Sequence, residues 1–236
     1  MEYLEVLNKG SLELGIELSA RQKKQFDIYL KQLLFFNKKV NLTSITKPLE
    51  IVTKHFLDSL SLLSTKYMAE NLSVVDIGAG AGLPGLPIKI VRPGIEMSLV
   101  EANRKKSLFL DHMTELFDLR QISIVNMRAE EFGKGSGREK FDIVVSRALS
   151  SLPVNLEYAM PLLKKEGFYL AMKGRLKNEP STKKACEELG AALVETKQLN
   201  IPWLEEERNL VVFKKETKTT DKYPRRSGMP AKRPLI

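Results

Sequence analysis

The chain has 236 residues, 43% of them hydrophobic, which favours one sizeable domain with an appendage over two equal domains. The single cysteine excludes an internal disulfide, and one cysteine with two histidines offers no metal cluster. We expect a cytoplasmic protein away from membranes, since the sequence lacks an apolar run of roughly 18 residues and a signal-peptide pattern. The net charge of +9 is concentrated near the C-terminus and points to an anionic partner.

Three helices are predicted before the first strand. They cover 2–14, 20–37 and 49–64, the second capped by Ser19 and the third begun by Pro48. His55 lies on the third helix, where a lone histidine is more often structural than catalytic. We assign residues 1–66 to an N-terminal helical extension.

Strands and helices alternate from Ser73 onward. Strands are predicted over 74–77, 96–100, 122–127, 141–146, 168–172, 192–198 and 209–214, and helices over 84–91, 103–119, 153–163 and 181–189. No helix-length segment separates the last two strands, so they should pair antiparallel. The pattern predicts an α/β domain over 67–215, with a mostly parallel seven-stranded sheet whose last strand is antiparallel.

A glycine-rich loop follows the first strand of this domain. The sequence S-V-V-D-I-G-A-G-A-G-L-P-G-L at 73–86 places a buried strand, a tight turn and a helix N-terminus in succession. Glycine permits positive φ and lets a ligand lie against bare backbone. We expect Gly78, Gly80 and Gly82 to bind an adenosine-containing cofactor, either a dinucleotide or S-adenosylmethionine.

Acidic residues at three successive strands favour S-adenosylmethionine. Asp76, inside the first strand, would attract a methionine ammonium group and repel a pyrophosphate. Glu101, at the end of the second strand, can accept both ribose hydroxyls. Ala129 and Glu130, after the third strand, can read an adenine edge. Each acid alone could be a surface residue, but coincidence at all three positions is the poorer explanation.

Basic residues follow the fourth and fifth strands. Arg147 lies at the sheet edge where ligands bind, and it could contact the cofactor, a base or a phosphate. A salt bridge from Arg147 to Asp76 or Glu101 is the alternative. Lys173 is a second cationic candidate, or else a solvated lysine. The sequence S-R-A-L at 146–149 replaces the Asn/Asp-Pro-Pro-aromatic signature, which argues against methylation of an exocyclic amine.

The last 21 residues are predicted to form a basic, flexible tail over 216–236. Eight basic and two acidic residues lie between Lys214 and Ile236, so that segment carries +6 of the net charge. Three prolines and one glycine make a packed helix or strand an unfavourable expectation. Such a tail suits the phosphates of a nucleic acid, and a solubilising tail is the alternative. The candidate contacts are Lys222, Arg225, Arg226, Lys232 and Arg233.

Four segments of the chain have a more specific pattern: D-I-G-A-G-A-G-L-P-G-L-P at 76–87, K-H-F-L-D-S-L at 54–60, N-L-T at 41–43 and V-V-S-R-A at 144–148. Together they resemble the glucose-inhibited division protein B family of rRNA methyltransferases, also called RsmG. The resemblance covers about 37–214. It implies a class I, Rossmann-like enzyme that uses S-adenosylmethionine to methylate N7 of a guanine in the 530 loop of 16S ribosomal RNA.

The resemblance also implies roles for individual residues. By similarity, the cofactor is contacted by Gly78, Leu83, Ala129, Glu130 and Arg147. His55 and Asn41 become candidate pocket residues, and Arg147 and His55 are the candidate catalytic residues. Guanine N7 has an exposed lone pair, so the enzyme must mainly align the reacting atoms and exclude water, with no base required of His55.

The last expectations concern the methylated base, the RNA substrate, the oligomeric state and the alternative functions. The methylated purine is cationic and needs a carboxylate or an aromatic face nearby, a group that the sequence does not identify. We expect a monomer that acts on 16S ribosomal RNA or on the small ribosomal subunit. A nicotinamide-dependent oxidoreductase and a non-catalytic RNA-binding module with a methyltransferase fold are the two alternatives.

Overall fold

The computed structural model describes residues 2–176 and 179–236, and a seven-stranded sheet lies at its centre. The strands are β1 (Ser73–Ile77), β2 (Glu96–Val100), β3 (Ile122–Val125), β4 (Phe141–Arg147), β5 (Leu163–Lys173), β6 (Ala191–Gln198) and β7 (Asn209–Lys215). Their order is β3-β2-β1-β4-β5-β7-β6. Neighbouring strands are parallel except at β7, which is antiparallel to both β5 and β6. The predicted mixed sheet is therefore confirmed.

Helices cover both faces of the sheet, which explains why the central strands are continuous apolar runs. Val74 and Val75, adjacent in β1, enter two separate hydrophobic cores. The helices are α1 (Glu2–Glu13), α2 (Ala20–Val40), α3 (48–64), α4 (Gly85–Val91), α5 (Arg104–Leu116), α6 (Ala129–Lys134), α7 (Leu152–Ala159), α8 (Lys183–Leu189) and α9 (Met229–Lys232). Among the described helices, none is long and apolar enough to cross a membrane.

The N-terminal helices share one core with the sheet. Phe26 and Tyr29 of α2 pack against Phe56 of α3, with ring centroids 5.1 Å apart in each pair. The sequence predicts a regular third helix, but α3 has four parts: Pro48–Ile51, a π-helical turn at Val52–Leu57, Asp58–Leu60, and a 3-10 turn at Ser61–Ser64. The π-helical turn contains His55 and therefore sets the direction of that side chain.

The C-terminal segment, defined here as residues 216–236, packs against the domain and so differs from the flexible tail that the sequence predicts. Tyr223 and Leu235 are buried in the second core. The Arg138 guanidinium donates hydrogen bonds to the carbonyl oxygens of Thr219 and Tyr223, at 2.8 Å each. Prolines and Gly228 do prevent long regular elements, but they permit turns whose side chains still reach the core.

Candidate active site

Three glycines of the loop between β1 and α4 have left-handed backbone conformations. The φ angles are 72° at Gly78, 57° at Gly80 and 89° at Gly82. A Cβ added to Gly78 or Gly82 would meet a leucine side chain of the protein itself. Among the described residues, a Cβ on Gly80 would have the Gly78 carbonyl oxygen as its one neighbour within 4 Å, at 3.8 Å. Gly80 therefore borders open space, where a ligand can approach the backbone.

The loop is anchored on two sides. The backbone N–H groups of Gly78 and Ala79 both donate to the carbonyl oxygen of Val100, at 2.9 and 3.1 Å. From the side of α2, the buried Tyr29 hydroxyl donates to the carbonyl oxygen of Ala81 at 2.5 Å. Leu83 is buried just beyond this point. The loop conformation is thus fixed by the protein itself.

Asp76 lies beneath the loop, close enough to the cleft-lining Glu101 to interact with its charge, but it does not itself line the cleft. Its Oδ2 accepts a hydrogen bond from the N–H of Gly85 at 2.9 Å, while its buried Oδ1 has no hydrogen-bond partner among the described residues. Burial raises the pKa of Asp76 to about 7, although the Gly85 hydrogen bond and the positive charge of Arg147 act in the opposite direction. A cation bound nearby would favour the ionised form of this carboxyl group.

A cleft of about 460 Å³ opens between the glycine loop and the ends of β2, β3 and β4. Glu101 lines it, and its two oxygens accept hydrogen bonds from the N–H groups of Gly80 at 2.9 Å and Asn103 at 2.7 Å. Each oxygen keeps a further lone pair for a ligand hydroxyl. Glu130 also lines the cleft, and its Oε1 accepts a hydrogen bond from the N–H of Gly228 at 2.8 Å, which is the hydrogen bond that the described residues make to this carboxylate.

The rest of the cleft suits a purine nucleoside. Apolar surface is supplied by Val100, Met127, Ala129, Leu149 and Ala231. Bare backbone at Gly80, carboxylates with spare acceptor capacity and apolar walls together fit an adenosine-containing cofactor. Of the predicted cofactor residues, the structure places Gly78, Gly80, Glu101, Ala129 and Glu130 around this cleft, while Asp76, Gly82 and Leu83 support the loop.

Arg147 points into a second pocket, of about 390 Å³, which shares Ala148 with the cleft. Its Nη1 donates to Asp58 Oδ2 at 2.9 Å and to the Lys54 carbonyl oxygen at 2.8 Å. Its Nη2 donates to His55 Nδ1 at 3.1 Å. The salt-bridge partner is therefore Asp58, and the alternative of a bridge to Asp76 or Glu101 is wrong.

His55 is held neutral in this pocket. Because arginine can only donate, Nδ1 must accept, and the proton lies on Nε2, which donates to Thr43 Oγ1 at 2.7 Å. The Lys54 carbonyl oxygen, 3.0 Å from Nδ1, is instead served by Arg147. Burial, with a smaller effect of Arg147, lowers the pKa of His55 to about 3. His55 thus orients Arg147, and its imidazole is uncharged near neutral pH.

Positive side chains predominate in the second pocket. Among the described residues, those that line it include five cations, Lys54, Arg147, Lys173, Arg175 and Arg208, and two carboxylates, Asp58 and Glu179. Lys173 is not a free loop lysine, since its Nζ donates to the Ser150 carbonyl oxygen at 2.8 Å and pairs with Glu179 at 2.5 Å. Asp58 lies between Arg147 at 2.9 Å and Arg208 at 3.5 Å. Such a pocket suits an anionic or acceptor-rich substrate.

The basic residues of the C-terminal segment fall into two groups. Lys222 pairs with Glu188 at 2.8 Å, and Arg225 pairs with the buried Glu157 at 2.5 Å. Arg225 is therefore engaged within the fold, contrary to the expectation that it is free to contact a nucleic acid. Exposed side chains remain at Arg226, Lys232 and Arg233. These three can meet a partner without breaking an ion pair recorded in the described chain.

Sequence reasoning did not assign a function to Asp58, Gly228 or Ala231. Asp58 had a signal, because it follows Lys54 by one helical turn within K-H-F-L-D-S-L. Gly228 and Ala231 had none, since their place at the cleft depends on how a distant segment packs.

Comparisons with known proteins give matches over most of the chain. A family model described as rRNA small subunit methyltransferase G matches residues 22–211. The Ribosomal RNA small subunit methyltransferase G of Desulfitobacterium hafniense is 44% identical over 239 residues, covering 100% of this chain and 99% of that protein. The protein of the same name from Alkaliphilus oremlandii is 38% identical over 238 residues, covering 100% of both chains.

Solved structures share the fold at low identity. A SAM dependent methyltransferase from Aquifex aeolicus aligns with a TM-score of 0.56 at 13% identity, over 73% of this chain and 96% of that chain. TYW2 from M. jannaschii, in complex with AdoMet, aligns with a TM-score of 0.50 at 18% identity, over 63% and 70%. These likenesses establish the architecture.

Proposed function

The chain belongs to the rRNA small subunit methyltransferase G family, and from this premise we propose that it transfers a methyl group from S-adenosylmethionine to N7 of a guanine in the 530 loop of 16S ribosomal RNA. The observation that carries the proposal is the meeting of two cavities at Ala148, one suited to a nucleoside cofactor and the other electropositive. Such an arrangement would bring the methyl donor and the acceptor base to neighbouring sides of Ala148.

The cofactor is assigned to the cleft beside the glycine loop. S-adenosylmethionine supplies a methyl group on a positively charged sulfur. Glu101 would hold the ribose hydroxyls, and the Ala129 N–H with Glu130 would hold the adenine edge. Gly78, Gly80, Gly82 and Leu83 form the loop around the remainder. Asp76 would act from behind the loop as a negative charge that favours a cationic ligand.

The acceptor guanine is assigned to the second pocket. Within the part of the chain that the structure describes, Arg147 uses three of its five N–H bonds on Asp58, Lys54 and His55, so two remain for a ligand. Guanine presents O6 and N7 as neighbouring acceptors, and a guanidinium donor on O6 would orient N7 toward the cleft. This places Arg147 on the base and His55 in a positioning role.

Asp58 is the carboxylate that would stabilise the methylated base. Methylation at N7 gives the purine a positive charge, and the Asp58 carboxylate, which lines the same pocket beside Arg147 and Arg208, would offset that charge. Its other oxygen, Oδ1, is buried and has no hydrogen-bond partner among the described residues. No proton leaves N7 during the transfer, so a neutral His55 is compatible with the chemistry. The chain's task is therefore alignment, exclusion of water and stabilisation of the product's charge.

The exposed Arg226, Lys232 and Arg233 are proposed to contact rRNA phosphates, supported by their lack of recorded ion pairs among the described residues and by the charge of the segment. Lys222 can join them because its pair with Glu188 is exposed. We propose that the protein acts in the cytoplasm and that it is a monomer. Sedimentation of the protein with and without rRNA would measure its oligomeric state.

The decisive experiment incubates the protein with labelled S-adenosylmethionine and small ribosomal subunits, naked 16S RNA or precursor particles. Chemical cleavage at N7-methylguanine should then map the label to one guanine in the 530 loop. Label at an exocyclic amine, or at another loop, would contradict the proposal.

Calorimetry distinguishes the two alternatives. Binding of NAD without binding of S-adenosylmethionine would favour an oxidoreductase. Cofactor binding without transfer to any of the three RNA substrates would favour a non-catalytic module.

A further inference from the structure

We propose that the C-terminal segment completes the cofactor cleft, with Arg225 as a positioning residue that sets the segment so that Gly228 orients the carboxylate of Glu130 for adenine recognition. The inference rests on the proposed function and deepens it. It concerns how the site selects adenine, because the segment supplies both a wall of the cleft and a hydrogen bond to the group that reads the base.

The contacts with the cleft are direct. The Gly228 N–H donates to Glu130 Oε1 at 2.8 Å, and Glu130 is only 4% exposed. This bond leaves Oε2 to accept from the amino group of an adenine. Ala231, two residues beyond the start of α9, also lines the cleft and contributes a small uncharged side chain. The segment thus shapes the site through backbone and a small side chain.

A buried ion pair holds the segment in place. The backbone N–H and Nε of Arg225 both donate to Glu157 Oε1 at 2.8 Å, and Nη2 donates to Oε2 at 2.5 Å. Glu157 is fully buried on α7. Nη2 also donates to the Arg233 carbonyl oxygen at 2.8 Å, so the guanidinium ties together the two ends of the α9 turn. Loss of Arg225 would leave Glu157 buried without its counter-charge.

The pair and the cleft are adjacent along the chain. Tyr158 follows Glu157 and lines the same cavity, and burial with a smaller effect of Glu130 raises the pKa of its hydroxyl to about 12. A shift of the C-terminal segment would therefore change the positions of Glu130, Tyr158 and Ala231 together. By contrast, the Lys222–Glu188 pair of the same segment involves none of the cleft-lining residues in the described chain.

The test measures recognition of the adenine edge by calorimetry with S-adenosylhomocysteine and S-inosylhomocysteine, in which a carbonyl replaces the adenine amino group. The wild type should prefer the adenosyl compound by about tenfold or more, the effect of one hydrogen bond to a charged group. Arg225→Gln should raise the Kd of S-adenosylhomocysteine about tenfold and reduce the preference at least fivefold, with kcat at saturating cofactor within about twofold. Lys222→Gln, the matched control for cofactor binding, should change neither the Kd of S-adenosylhomocysteine nor the preference for it over S-inosylhomocysteine.

Two further variants guard against misfolding. Glu157→Gln with Arg225→Gln removes both charges and should lose the preference without leaving a buried carboxylate alone. Ala231→Leu adds bulk at an exposed position and should weaken S-adenosylhomocysteine binding directly.

An unchanged adenosyl preference in folded Arg225→Gln, or tight binding by Ala231→Leu, would overturn the inference and leave the proposed function intact. Failure of the wild type to bind either nucleoside would instead overturn the proposed function, and the inference with it.

Discussion

Replacing Asp76 with asparagine should stabilise the protein more at pH 8 than at pH 5. Asp76 is fully buried, and its pKa is raised by that burial to about 7, compared with about 3.9 in an unfolded chain. The folded protein therefore retains a proton that the unfolded chain releases as the pH rises from about 4 to 7. Stability is lost over that window, and the loss is complete above about pH 7.

The magnitude follows from the two pKa values. Between pH 5 and pH 8 the folded and unfolded states differ over about two pH units, and each unit is worth about 1.4 kcal/mol, so the wild type should lose roughly 2 to 3 kcal/mol from this group. Asparagine can still accept the hydrogen bond from Gly85 but carries no charge. Its stability should lack this dependence.

Urea unfolding followed by circular dichroism, without cofactor, measures the effect. The quantity is the free energy of unfolding of Asp76→Asn minus that of the wild type, compared at the two pH values so that other titrating groups cancel. Asp142→Asn is the control: partial burial raises its pKa, but the hydrogen bonds from Lys164 and Ser73 dominate and lower it, so its effect should be equal at pH 5 and 8. An Asp76 difference that does not change with pH would refute the reasoning.

Three further predictions concern the site and its partner. Gly80→Val should raise the Kd of S-adenosylmethionine at least tenfold, because the side chain would enter the open cleft at φ 57°, whereas Gly15→Ala, at φ 76° with nothing within 4 Å, should leave calorimetric affinity unchanged. The pH profile of methyl transfer should show no limb from His55 between about pH 5 and 7, since burial lowers its pKa to about 3, and a limb abolished by His55→Asn would contradict this. Replacing Arg226, Lys232 and Arg233 with glutamine should reduce the slope of log affinity for rRNA against log salt by roughly two, and an unchanged slope would assign these residues to solubility.

The sheet and the cleft were predictable because their signals are local. Apolar runs bounded by turns located the strands, and parallel strands bring their carboxyl ends to one edge, so Glu101 and Glu130 could be placed near the glycine loop. The antiparallel pairing of β6 and β7 followed from the short connection between them.

The remaining features depend on contacts between residues that are far apart in the sequence, and composition does not encode such contacts. Arg147 could have paired with any nearby acid, and the fold brings it to Asp58, 89 residues away. Proline and positive charge correctly indicated little regular structure in the C-terminal segment. They did not indicate that Glu157 is buried beneath Arg225. In the sequence, a buried acid of an apolar helix cannot be distinguished from a surface acid until its partner is known.

The hydrogen bond between Gly228 and Glu130 joins residues 98 positions apart, and the Arg225–Glu157 pair spans 68. A ribosome releases the chain from its N-terminus, at roughly 5 to 20 residues per second, so all seven strands can leave the exit tunnel before residue 231 does. A nascent chain at that stage would have the sheet and the glycine loop but an open cleft. Tight cofactor binding would thus be postponed until the closing residues have emerged, and cofactor added to stalled nascent chains of increasing length should bind late and abruptly.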